Sequence, residues 1–193
     1  MSKIAPKLKA GDEVRIIAPS YSMSGMTSEM RTAAGARFAS LGLRPTFGAH
    51  VEESDLFSST SIASRIADFH MAFSDPSVRG IFTVTGGFNA NELLQHIDWK
   101  IVRKHPKVFC GFSDITALSN AIYAKTGLVT YSGPNYRTLR HEGGSEYVLD
   151  YLKKCLFKDE PYQITPSDVW VDKSLGGDVP EVMKNAGWFP IQE

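Results

Sequence analysis

The 193-residue chain sets 21 Lys and Arg against 21 Asp and Glu, with 42% hydrophobic and 22% charged residues. These proportions suit a soluble globular protein of one domain, or one domain and part of a second. The even charge excludes a global basic field that would gather nucleic acid or an anionic membrane surface, and no run approaches the roughly 18 consecutive apolar residues of a membrane span.

Val14-Arg15-Ile16-Ile17-Ala18 is β-branched and stops at Pro19-Ser20, which predicts a first strand. A helix follows, because Met30, Ala34, Phe38 and Leu41 fall on one helical face. Thr27 or Ser28 suits its N-cap, Glu29 its first turn, and Gly42 its end. Residues 43–47 are a second short strand and 52–60 a polar loop. A second helix starts after Ser61 with Ile62, Ile66, Phe69 and Phe73 on one side, and Asp75-Pro76 ends it. Residues 80–84 predict a buried strand, closing on Thr85-Gly86-Gly87-Phe88-Asn89. Brief helices are expected over 91–97 and 99–104, then a strand over 107–110. The next helix carries Ile115, Leu118 and Ile122 and stops at Gly127. A further strand spans 128–131, and a helix spans 146–156.

Strand and helix alternate to about residue 155, which predicts an α/β fold: a mostly parallel sheet with helices on both faces. Ligands of such sheets bind at the carboxyl ends of the strands. The turns at Pro19-Ser20, Gly86-Gly87 and Phe112-Ser113 all follow strands and should gather on that rim. After Lys158 the texture changes. Pro161, Pro166, Gly176-Gly177 and Pro180 break any long helix, and short strands are expected at Tyr162-Gln163-Ile164, Val169-Trp170-Val171 and Trp188-Phe189-Pro190-Ile191. We read 1–158 as one α/β domain and 159–193 as a linker and the incomplete start of a second.

The chemistry centres on Lys107-Val108-Phe109-Cys110-Gly111-Phe112-Ser113-Asp114. A strand that breaks sharply into a helix can hold a serine hydroxyl out at the sheet's end. An alcohol then needs a base to take its proton and donors for the oxyanion it creates. The backbone N–H of Asp114 in the first helical turn is one candidate donor. That of Gly87 is another, since glycine lets the main chain approach a ligand closely. From the local sequence alone, Ser113-Asp114 reads first as a helix N-cap, and Gly86-Gly87 as a tight strand-to-helix turn. Gly-Phe-Ser-Asp-Ile also lacks the second glycine of Gly-x-Ser-x-Gly, and no phosphate-loop spacing is present. Cys110 and Cys155 stand far apart, with no paired Cys/His spacing, so neither a disulfide nor a metal site is expected and a reducing, cytoplasmic setting fits.

Taken together, several stretches resemble the N-terminal domain of the LD-carboxypeptidase family of serine peptidases, which includes muramoyl-tetrapeptide carboxypeptidases and microcin-C self-immunity peptidases. They are Ile17-Ala18-Pro19-Ser20, Arg65-Ile66-Ala67-Asp68-Phe69, residues 73–81, Thr85 to Leu94, Asp98-Trp99, Lys107 to Leu118, and Gly127 to Pro134, in order. Thr85 and Asn89-Ala90-Asn91 look closer to the self-immunity branch. The resemblance implies a class I glutamine amidotransferase-like domain, Ser113 as nucleophile, and the N–H groups of Gly87 and Asp114 as oxyanion hole. It implies that Ser20, Gly86, Phe88 and Asn89 contact a small peptide or peptide-nucleotide substrate. It also implies a homodimer, no cofactor and no metal.

The family's catalytic Glu and His lie in a C-terminal domain, which the resemblance places beyond residue 193. None of His50, His70, His96, His105 and His141 matches the family base. His70 is expected to be structural, the others solvated or in surface turns. The expectation is therefore a serine carboxypeptidase inactive as this chain alone, the alternative being a non-catalytic binding or subunit-pairing module.

Overall fold

The computed structural model describes residues 2–140, 146–170 and 189–190. The β-branched run after Glu13 becomes β1 (Glu13–Ile17), and four more strands join it: β2 (Arg44–Phe47), β3 (Val78–Thr83), β4 (Val108–Gly111) and β5 (Tyr131–Ser132). All pair in parallel, in the order β2-β1-β3-β4-β5. The central strands β3 and β4 are buried almost throughout, which is why they read as near-continuous apolar runs. The expected α/β class with a parallel sheet is what the chain adopts.

Helices cover both faces of this sheet. In the pleat Phe109 stands level with Ile81, so Phe109 and Phe82 point to opposite sides. Phe82 meets Phe38 of α1 (Ser28–Ser40) edge-on at 5.0 Å. Phe109 meets Phe69 and Phe73 of α2 (Ile62–Ser74) at 6.1 and 6.3 Å. Beside α2 pack α3 (Trp99–Lys104) and then α4 (Thr116–Thr126). The last long helix, α5 (Glu146–Phe157), buries Leu152 and Leu156.

Local chemistry sets most helix ends. Thr27 Oγ1 accepts from Met30 N, Ser61 Oγ from Ser64 N, and Asp98 Oδ1 from Lys100 N. Each such cap is worth about 1 kcal/mol. Gly42 follows α1 and Gly127 caps α4, both at φ +75°, where a side chain would be strained.

Three expectations are corrected. The helix over 91–97 is a 3₁₀ turn at Ala90–Leu93, because its first groups are taken by tertiary partners: Asp114 binds Ala90 N and Arg65 binds the Asn89 carbonyl. The last parallel strand is two residues long, since Gly127 O and Val129 N pair with Lys3 instead. Tyr162-Gln163-Ile164 joins no sheet; the Gln163 carbonyl and the Thr165 N–H bond to the Tyr151 hydroxyl rather than to a strand. The expected strands at 169–171 and 188–191 appear as β6 (Val169–Trp170) and β7 (Phe189–Pro190), paired antiparallel; Val171, Trp188 and Ile191 lie outside the described residues.

The strand order places the site. From β1 the chain crosses to β2 on one side, then returns over β1 to β3 on the other. The loops after β1 and β3 therefore diverge at the carboxyl edge and open a crevice between them. Ser20 lies in the first loop and Gly86-Gly87 in the second. Ser113 follows the next strand over.

Candidate active site

β4 ends at Gly111, Phe112 stays extended at φ −145°, and Ser113 then turns into the left-handed region at φ +67°. A non-glycine residue pays roughly 1–2 kcal/mol to stand there. The surroundings hold it in place. A Cβ at Gly111 would run into Thr83 Oγ1 and come within 2.9 Å of Ile115 Cγ2 and 3.1 Å of Asn135 Oδ1. Asn135 is buried to 1% exposure; its Oδ1 accepts the Thr83 hydroxyl at 2.5 Å and the Phe112 N–H at 3.4 Å. The backbone before the serine is thereby anchored. Ser113 is exposed, and among the described residues its hydroxyl has no hydrogen-bond partner.

The N-cap reading of Ser113-Asp114 is corrected. Neither the short 3₁₀ turn Ser113–Ile115 nor α4 has a side-chain cap. The Asp114 carboxylate turns away from its own helix: Oδ2 accepts from Ser20 Oγ at 2.7 Å and from Ala90 N at 2.9 Å. One carboxylate thus ties the loop after β1 to the loop after β3. Ser20 is fully buried, and its hydroxyl also lies 3.1 Å from Asn89 Oδ1, so what it lends the site is support. The N–H groups of Gly87 and Asp114 donate to no acceptor among the described residues, leaving both free for a ligand.

The glycine pair is required by close approach. A Cβ at Gly86 would meet the Ser113 side chain, and one at Gly87 would overlap Ser20 Oγ and the Tyr21 ring. Phe88 stands 84% exposed at the rim, its ring edge-on to Tyr21 at 5.8 Å. Gly86, Gly87, Ser113 and Asp114 come together, with Ser20 and Asn89 behind them and Phe88 on the outside.

The histidines do not join this group. His50 was expected to be solvated; instead its Nδ1 lies 2.8 Å from Asp68 Oδ1 and its N–H donates to Asp68 Oδ2 at 3.0 Å. That carboxylate raises the His50 pKa. His70 is half-buried and structural: its Nε2 accepts the Asp98 N–H at 2.9 Å, and burial lowers its pKa. His96 is exposed and His105 ends α3, while His141 lies outside the described residues. Both cysteines are free; Cys110 is fully buried, which pushes its thiol far up. Among the described residues no three His, Cys, Asp or Glu side chains gather as metal ligands, and no helix is long and apolar enough to cross a membrane.

Three polar residues had no assigned role in the sequence reading: Arg65 and Asn135, which brace the site's loops, and Asp68, which holds His50 away from it. Arg65 and Asp68 lie on the buried face of α2, and a charged pair on the stripe that carries Phe69 and Phe73 was the available signal. Asn135 follows Ser132-Gly133-Pro134 directly, and nothing local marks it. Chemically, the arrangement offers an exposed alcohol on a rigid turn and two free N–H groups close by. These are the parts needed to attack a carbonyl and hold the resulting oxyanion.

Residues 14–133 match the LD-carboxypeptidase N-terminal domain. The Bacillus subtilis (strain 168) protein YocD, which bears a carboxypeptidase name, is 48% identical over 168 residues, covering 87% of this chain and 52% of its own. The crystal structure of an MccF-like protein from Bacillus anthracis superposes with a TM-score of 0.91 at 46% identity, over 99% of this chain and 56% of that one. The microcin C7 self-immunity protein MccF in complex with aspartyl sulfamoyl adenosine gives a TM-score of 0.87 at 25% identity, over 96% of this chain and 57% of that one. The chain thus spans about half the length of the curated relatives it matches.

Proposed function

The chain belongs to the LD-carboxypeptidase family, and on that premise we propose that it is the nucleophile-bearing part of a serine carboxypeptidase. Its substrate is a murein-like peptide, or a peptidyl or aminoacyl nucleotide of the kind held by the MccF structure. The observation that carries this reading is Ser113 itself: left-handed at the end of β4, exposed, and without a partner among the described residues, in the manner of a nucleophile elbow.

In the proposed reaction, Ser113 Oγ forms a bond to the amide carbonyl carbon as its proton passes to a base. The carbonyl electron pair moves onto oxygen, where the N–H groups of Gly87 and Asp114 receive it. Each such donor is typically worth about 100- to 1,000-fold in rate. Collapse expels the amine, which takes the proton, and water then releases the acyl group from Ser113. Gly86, Phe88 and Asn89 line the substrate, with Ser20 bracing Asp114. The base is assigned to the family's Glu–His pair, which the resemblance places beyond residue 193, so this chain alone is proposed to be inactive. The reading includes a domain division at 158/159, a homodimer and a cytoplasmic setting; these rest on the resemblance and on the composition.

The test is acylation by a fluorophosphonate. The chain joined to the C-terminal half of a relative is expected to be labelled at Ser113 and to cleave tetrapeptide or aminoacyl-nucleotide substrate, and Ser113→Ala to do neither. Undiminished turnover after Ser113→Ala would sink the assignment. The free Ser113 hydroxyl also suits a binding module without catalysis. That second reading expects the joined protein to bind an aminoacyl sulfamoyl adenosine with no labelling, and labelling rejects it.

A further inference from the structure

We infer that Arg65 is the positioning residue of this site, a buried cation that locks the loop after β1 to the loop after β3 and so sets where Gly87 and Asp114 present their N–H groups. Arg65 sits in the second turn of α2 with its side chain 2% exposed. Its Nη1 donates to the carbonyls of Asn89 at 2.9 Å and Pro19 at 3.3 Å, and its Nη2 to Glu92 Oε2 at 2.6 Å. Its Nε has no partner among the described residues.

Burying a guanidinium is unfavourable unless its donors are well used. On the apolar stripe of α2 a leucine would pack without that cost. Among the described residues the one carboxylate paired with Arg65, that of Glu92, is itself 47% exposed, so an ion pair alone does not require the burial. What the burial secures is the two loop carbonyls. They belong to loops that part at the switch in strand order; a main-chain bond from Tyr21 N–H to the Gly86 carbonyl crosses the gap at 3.3 Å, and among the described residues none ties Gly87, Phe88 or Asn89 to the loop after β1. A planar fork reaches both at once, which an ammonium point charge does less well.

A second side-chain tie between these loops is one residue further along each. Arg65 holds Pro19 and Asn89, and Asp114 holds Ser20 and Ala90. A cation and an anion therefore clamp the same pair of loops. Gly87 lies between the anchored end of β3 and Asn89, and the Asp114 backbone is steadied through its carboxylate. The two free N–H groups are thus set by a clamp in which Arg65 touches no reacting atom. Its consequence for acylation rests on the nucleophile reading of Ser113; the clamp itself does not.

The experiment is NMR on the 193-residue chain, wild type, Arg65→Lys and Glu92→Gln. The wild-type guanidinium is expected to show separate Nη1 and Nη2 signals, because its two ends are held by different partners; one averaged signal overturns the inference without any variant. In Arg65→Lys the Ala90 amide should exchange about tenfold faster or more, and the Gly87 and Asp114 amides should shift. The core amides of Ile81 and Phe109 should stay as they are. Glu92→Gln keeps both loop bonds and should change Ala90 exchange less than about twofold. Unmoved Ala90, Gly87 and Asp114 amides in folded Arg65→Lys overturn the inference, as does Glu92→Gln matching Arg65→Lys. In the joined protein, fluorophosphonate labelling of Arg65→Lys should fall about tenfold or more. Absence of labelling in the joined wild type counts against the peptidase reading, while the amide results still decide the clamp.

Discussion

The backbone of Gly86 lies directly against the side chain of Ser113. A methyl group added at Gly86 would stand 2.9 Å from Ser113 Cβ, 3.0 Å from Ser113 Oγ and 3.4 Å from Asp114 N. The glycine therefore leaves the space in which the hydroxyl and the neighbouring N–H work. Gly86→Ala is expected to cost about 1–3 kcal/mol of stability through overpacking and to slow acylation of the joined protein by about 100-fold through misplacement. Denaturant titration and fluorophosphonate kinetics measure the two effects. Undiminished labelling in folded Gly86→Ala would contradict this role.

Ser113 stores backbone strain, since its φ of +67° is one that glycine adopts freely. Ser113→Gly should raise stability by about 1 kcal/mol relative to Ser113→Ala, which keeps a Cβ in the same conformation. Both variants should lose labelling. Equal denaturation midpoints for the two would show that the turn carries no strain.

The His50–Asp68 pair gives a pH dependence with a definite sign. Asp68 raises the His50 pKa above its ordinary 6.5, with Glu53 at 4.0 Å adding to the effect. The folded chain thus holds this proton more tightly than the unfolded one. The contribution is complete below 6.5 and fades as pH rises through the elevated folded value. The stability lost in His50→Gln should therefore be larger at about pH 5.5 than at about pH 8.5. Denaturation of both proteins at the two pH values checks it, and a pH-independent difference would refute it.

Lys107 behaves in the opposite sense. Its ammonium is buried beneath the end of α2, donating to the carbonyl of Ala72 at 2.9 Å and to that of Asp75. Burial pushes its pKa down from 10.5 to about 8; Asp75 and Glu13 pull it up, and Arg15 and Arg79 push it further down. Between those two values the unfolded chain binds the proton and the folded one does not. The stability of the wild type relative to Lys107→Met should consequently rise as pH goes from about 8 towards 10.5. A flat or falling difference across that window would show that the ammonium is not buried as described.

Much of the architecture is decided by interactions between residues three or four apart, which is why it can be read along the chain. The stripe Ala34-Phe38-Leu41, the caps Thr27 and Ser61, and the left-handed glycines Gly42 and Gly127 set α1, α2 and the end of α4 without reference to anything distant. The alternation of these helices with β-branched runs determines a parallel α/β sheet, and the break after Gly111 determines where a serine meets its rim.

What surrounds that serine was decided only when the strands assembled. Ser20 and Asp114 are 94 residues apart in sequence, and Asn135 lies 23 beyond the Phe112 N–H that it holds. Whether such groups meet depends on the order β2-β1-β3-β4-β5, which brings three separate loops to one edge. Asp114 therefore became a bridge rather than a cap, Arg65 a clamp between two loops, and His50 the partner of Asp68 rather than a solvated side chain. A polar side chain's role is set by the nearest unsatisfied donor or acceptor in space. Along the sequence, Ser113 is a serine at a turn; the tertiary structure frees its hydroxyl and leaves two N–H groups beside it.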